Sequence, residues 1–166
     1  MNELKVNFEN LTAKERAELL KLVEKANKPK SKVWKPKKDE RYYYILSHGV
    51  GWCLCLNGNG DNNRYAIGNC FKTKEEAENA AERLKIRAEL QRFADEHNDK
   101  SIDWKNRNTA KWYIRFNYDD EIVECSPVRT VRDTFQIYFS SEEVARAAVQ
   151  SVGEDRIKKY LFGVEV

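Results

Sequence analysis

Histidine is scarce in this chain. There are two among 166 residues, His48 and His97, and neither falls in a catalytic spacing. The nucleophile elbow, the Walker loop, the dinucleotide fingerprint, the paired-histidine zinc helix and the EF-hand loop are all missing. Without any of these constellations the chain is read as a non-enzyme with no cofactor. Long hydrophobic runs are missing too: no stretch approaches the ~20 apolar residues that span a bilayer. The opening Met1-Asn2-Glu3-Leu4-Lys5 has no hydrophobic signal core. The expectation is a cytoplasmic protein with no membrane partner. Cysteine is limited to Cys53, Cys55, Cys70 and Cys125, most simply free thiols of a reducing compartment. Cys53-x-Cys55 places two thiols on one strand face, with Cys70 and His48 as further ligand types. A second paired knuckle is lacking, so no metal is expected.

Proline is also rare, and two of the three prolines fall in one segment, Lys28-Pro29-Lys30-Ser31-Lys32-Val33-Trp34-Lys35-Pro36-Lys37-Lys38. Six lysines and no acid make it an extended, solvated linker, or a basic strip for an acidic partner. The net charge of +3 conceals an asymmetry. Residues 1–40 hold eleven Lys/Arg against seven Asp/Glu, whereas residues 41–166 hold nineteen against twenty. A dedicated DNA-binding domain carries its basic patch on the fold itself, so a near-neutral body counts against nucleic acid as the ligand. With 41% hydrophobic and 11% aromatic residues, the chain has enough apolar material for a core.

What the sequence does have is a repeat. Trp34-Lys35 is followed nine residues on by Tyr43, and Trp104-Lys105 nine residues on by Tyr113. Phe71-Lys72-Thr73-Lys74-Glu75-Glu76-Ala77 is matched by Phe139-Ser140-Ser141-Glu142-Glu143-Val144-Ala145. The expected fold class is α+β, an N-terminal helix followed by two β-β-β-α units. The boundaries are 1–33 for the helix and Lys/Pro-rich linker, 34–99 for the first unit and 100–166 for the second. The first helix spans 11–27, started by a Thr12/Glu15 capping box. In the first unit, strands run over Arg41–Leu46, near Val50–Leu56 and over Arg64–Phe71, with Asn57–Asn63 as a turn-rich loop. Thr73 and Glu76 cap a helix reaching about Asn98, whose apolar stripe changes face halfway. In the second unit, strands run over Lys111–Tyr118, Glu121–Cys125 and Thr134–Phe139, with Pro127 marking an edge or bulge. Lys111 falls on the side opposite Trp112, Ile114 and Phe116. Ser140 or Ser141 caps the last helix, Gly153 stops or kinks it, and a further helical segment ends near Gly163.

The aromatics are the best functional candidates. Tyr42 and Tyr44 share one strand face and Tyr43 takes the other. If Tyr43 joins the core, Tyr42 and Tyr44 face away from it; if the core face is the reverse, Tyr43 is exposed instead. The exposed tyrosines, beside Arg41, Trp52 and Arg64, make an aromatic and basic sheet face able to stack on a base or a partner side chain, with Tyr42, Tyr44 and Trp52 as the expected anchors. Lys35, Lys37 and Lys38 extend it, and the 47–63 hairpin serves as a specificity element.

Two strings carry a resemblance. Tyr65-Ala66-Ile67-Gly68-Asn69-Cys70-Phe71-Lys72-Thr73-Lys74-Glu75-Glu76-Ala77 and Trp34-Lys35-Pro36-Lys37-Lys38-Asp39-Glu40-Arg41-Tyr42-Tyr43-Tyr44-Ile45 resemble uncharacterised small proteins of phages and prophages of Gram-positive bacteria. So does the ending Gly153–Val164. That group lends no residue roles. The resemblance implies a phage accessory protein that binds and inhibits a host defence system, by covering a defence protein or sequestering its nucleotide signal. A shorter similarity, three strands followed by Phe-Lys-Thr-Lys-Glu-Glu-Ala, links the chain to integrase arm-type and AP2-like domains, and implies DNA binding by the sheet. A role in virion assembly is the third expectation. The sequence assigns no oligomeric state.

Overall fold

The computed structural model describes residues 11–27, 33–131 and 135–165. Lys28–Lys32 of the expected linker and Thr134 of the expected last strand lie outside them. The chain divides into two compact units, 1–35 and 36–166. In the first, helix α1, Ala13–Asn27, starts at a capping box: the Thr12 amide donates to Glu15 Oε2 at 2.8 Å, and the Glu15 amide donates to Thr12 Oγ1 at 3.4 Å. Leu20, Leu22 and Val23 of α1 are exposed.

The second unit is α+β, with two small antiparallel sheets. Strands β1, Arg41–Leu46, and β2, Gly49–Leu54, form one hairpin; β3, Lys111–Asn117, and β4, Ile122–Val128, form the other. Between them lie α2, Asn59–Ala66, and α3, Lys74–His97. After β4 come α4, Glu142–Val152, α5, Glu154–Ile157, and a single π-helical turn, Lys158–Phe162. Among the described residues no helix is long and apolar enough to cross a membrane.

Helix starts follow local chemistry. Thr73 Oγ1 accepts from the Glu76 amide at 3.1 Å and Glu76 Oε2 accepts from the Thr73 amide at 3.1 Å, closing the capping box of α3. Ser141 Oγ accepts from the Val144 amide at 3.3 Å and starts α4. Gly153, at φ +98°, ends α4 in a conformation that side chains resist.

The third strands are corrected. Phe71 meets Tyr43, and Phe139 meets Trp112, through isolated antiparallel bridges rather than strands. Arg64–Ala66 belong to α2 instead. Asn57 does adopt the left-handed conformation expected of turn chemistry, at φ +57°. Asp61 then takes the amides of Leu56 and Gly58, both at 3.0 Å, and this cap converts the supposed hairpin loop into the start of a helix. Pro127 does not interrupt β4, which runs through it to Val128 on an edge.

The core is off-centre. Ile86, Leu90 and Ala94 of α3 pack with Ala145, Ala148, Val149 and Val152 of α4, with Phe139 and with Ile157; Trp112, Ile114 and Val123 of the second hairpin pack against them. The change of face along α3 is thereby explained: Ala80 and Leu84 of its first half line a groove with Ile45 of β1, and Ile86, Leu90 and Ala94 of its second half pack with α4. Arg156 ties α5 back to α3, with Nη1 2.6 Å from Glu89 and Nη2 3.1 Å from Glu82. Lys111, on the strand side opposite Trp112, Ile114 and Phe116, is fully buried. Its ammonium donates to the carbonyls of Asn106, Thr109 and Thr130 at 2.8, 3.3 and 2.8 Å. Those three acceptors replace water around the charge.

Candidate binding surface

The register of the first hairpin sorts its side chains. Arg41 lies opposite Leu54, Tyr43 opposite Trp52 and Ile45 opposite Val50; the alternate pairs are Tyr42 with Cys53, Tyr44 with Gly51 and Leu46 with Gly49. Directly opposed residues share a face, so Arg41, Trp52 and Leu54 point one way, and Tyr42, Tyr44 and Cys53 the other.

The Tyr42 face is closed by α2. Tyr42 is fully buried. Its hydroxyl donates to Asp61 Oδ1 at 2.7 Å and accepts from Arg64 Nη1 at 3.0 Å. The Arg64 guanidinium lies 4.0 Å from the Tyr44 ring centroid and 3.8 Å from Cys53 Sγ. Burial, then hydrogen bonding to Cys53 and Asp61, pushes the Tyr42 phenol well above its ordinary value of 10.0. The Tyr42 hydroxyl holds the Asp61 carboxyl below its ordinary 3.8, with help from the Gly58 and Leu56 amides. Desolvation raises the nearby Cys70 thiol, which therefore stays protonated at neutral pH. Cys55 is buried and its thiol donates to the Pro36 carbonyl at 3.6 Å. Among the described residues no group of His, Cys, Asp and Glu has the arrangement to hold a metal ion.

The Arg41 face is open at one end. Arg41 stacks its guanidinium 4.3 Å over the Trp52 ring, and Trp52 keeps 56% of its surface exposed. Leu54, opposite Arg41 in the register, is also exposed on this face, and Leu56 is exposed just beyond the strand. Lys37 and Lys38 are exposed on an adjacent turn. That turn is closed by the Glu40 amide on the Lys37 carbonyl at 3.0 Å and held to the hairpin by the Asp39 amide on the Cys55 carbonyl at 2.8 Å. At the other end of this face, Ile45 and Phe71 share a groove of about 440 Å³ with Ile67 and with Ala80 and Leu84 of α3.

The expected site residues therefore separate. Lys37, Lys38, Arg41 and Trp52 come together on the outside. Tyr42 does not join them, and this is a correction: α2 buries it. Tyr44 and Arg64 are half-buried and occupied with each other. Lys35 is exposed and belongs to the unit 1–35. Leu54 was missed, although Trp52-x-Leu54 has the two-residue period that puts both on one strand face. No family model, curated protein or solved structure matches the chain.

Proposed function

We propose that this chain is a non-catalytic phage or prophage accessory protein that acts by binding, covering a protein of the host's defence in the bacterial cytoplasm. The observation that carries the reading is the exposed Arg41–Trp52 stack with exposed Leu54 on the same strand face. Arg and Trp are the residue types that most often anchor protein interfaces, and an apolar strip with a charged margin is the usual anatomy of one. Lys37 and Lys38 at the same end of the hairpin supply a positive rim suited to an acidic partner. The nucleotide-sequestering version has less support, because Tyr42 is buried and Arg64 already covers the Tyr44 ring. The phage setting rests on the sequence resemblance alone. We also read residues 34–99 and 100–166 as two copies of one ancestral hairpin–helix unit, with 1–33 apart from them. The matched bridges at Phe71 and Phe139 and the matched caps at Thr73 and Ser141 support that reading.

The test is an affinity capture from host lysate, with and without nuclease, using the wild type and an Arg41→Ala/Trp52→Ala variant. The expected result is one stoichiometric protein, resistant to nuclease, that the variant fails to retain. Nucleic acid alone, lost on nuclease treatment, moves the assignment to DNA binding, and a partner kept by the folded variant removes this site.

A further inference from the structure

The two hairpins treat their outer edges differently. Tyr43 exchanges both of its backbone hydrogen bonds with Phe71, at 2.9 Å each, so its opposite residue, Trp52, directs its N–H and C=O away from β1. By the antiparallel alternation, Val50 and Leu54 do the same. Among the described residues no strand pairs with this side of β2. In the second hairpin Trp112 exchanges its backbone bonds with Phe139, at 2.9 and 2.7 Å. The residue opposite Trp112, and so facing outward on β4, is Pro127. Proline has no N–H to offer, and β4 also carries Glu124, ion-paired with Arg115 at 2.7 Å. Proline and charge are the devices by which an edge strand refuses another strand. The run Gly49-Val50-Gly51-Trp52-Cys53-Leu54 has neither, and it carries Trp52 at the position that Pro127 occupies in the other hairpin.

We propose that the outer edge of β2 is a strand-addition site, and that its occupant is β2 of a second copy of this chain, antiparallel and centred on Trp52. The outward residues are Val50, Trp52 and Leu54, symmetric about the middle one. A two-fold axis perpendicular to the sheet, midway between the two Trp52 residues, sets Trp52 against Trp52 and Val50 against Leu54, twice. Each outward N–H then meets an outward C=O, forming about six hydrogen bonds. The edge is uncharged, so a copy meets no repulsion on the strand itself, and an isologous pair is the commonest assembly symmetry. In this register both Arg41–Trp52 stacks fall on the same side of a four-stranded sheet, doubling the open surface. A ladder this short is a small interface, which corresponds to a weak dimer.

The test is sedimentation of the full chain from about 1 μM to about 1 mM, the span over which a weak dimer forms. The wild type is expected to move from the mass of one chain to twice that mass. Trp52→Pro, which copies the second hairpin, is expected to stay monomeric throughout. Trp52→Ala keeps the outward N–H and is expected to dimerise, several-fold more weakly. Where circular dichroism finds the proline variant unfolded, Leu54→Lys places a charge on the edge without touching the backbone and is expected to be monomeric. A wild type that stays monomeric to the highest concentration overturns the proposal, as does a folded Trp52→Pro or Leu54→Lys that dimerises like the wild type. A monomeric wild type that still captures a host protein overturns the dimer and leaves the partner reading standing.

Discussion

At the scale of single residues, the first hairpin depends on the Tyr42 hydroxyl, which joins Asp61 at the start of α2 to Arg64 in its last turn. Tyr42→Phe keeps the ring and removes the link, and is expected to cost about 1–2 kcal/mol, read from urea unfolding. The same pair sets a pH window. Asp61 has a folded pKa below its ordinary 3.8, so its contribution is present above the ordinary value and lost as pH falls through the folded one. Tyr42 has a folded pKa above its ordinary 10.0, so its contribution is present below that value and lost as pH rises through the folded one. Thermal unfolding followed by tyrosine signals is expected to give a plateau between these limits, with decline at both ends. Asp61→Asn is expected to flatten the acid side. The sequence gives no sign that Tyr42 is inside, because its cover is a helix written in Asn and Gly. Trp52 was legible as a candidate only as an aromatic beside Arg41, the neighbour whose guanidinium stacks on it.

At the scale of elements, caps were legible and strands only partly so. Thr12/Glu15, Thr73/Glu76 and Ser141 are patterns of three or four consecutive residues, and the helices start where they stand. Thr73→Ala is expected to destabilise by about 1 kcal/mol, measured by chemical denaturation. The segment Arg64–Phe71 reads as a strand from its side chains, yet its fate is decided by Asp61, which caps α2 from within its first turn. Lys111 shows the same limit: alternation only puts it on the side opposite Trp112, Ile114 and Phe116, and its burial depends on three carbonyls brought together by the fold. Lys111→Met fills similar volume but leaves those carbonyls without a donor. A loss of about 1–3 kcal/mol is expected, again by denaturation.

At the scale of the whole described body, stability is unevenly spread. The apolar core joins α3, α4, α5 and the second hairpin, while the first hairpin relies on Tyr42, Asp61, Arg64 and Asn69. Phe139 is fully buried, and its sequence counterpart Phe71 is only half-buried. Native-state hydrogen exchange is expected to show β1 and β2 opening at lower free energy than the second half of α3 and α4. Ile86→Ala, in the core, is expected to cost about 2–5 kcal/mol.

The far side of β1 gives the first sheet a direction. There Phe71 holds Tyr43, and the Asn69 side-chain amide imitates a strand: Oδ1 accepts from the Ile45 amide at 2.7 Å, and Nδ2 donates to the Ile45 carbonyl at 3.1 Å. The sheet can therefore grow on one side only. A strand that pairs with β2 finds nothing further to template at the opposite end, so addition stops after one round. Two residues that fail to make a third strand thus act as a terminator, guarding a sheet with one open edge against end-to-end growth into fibres.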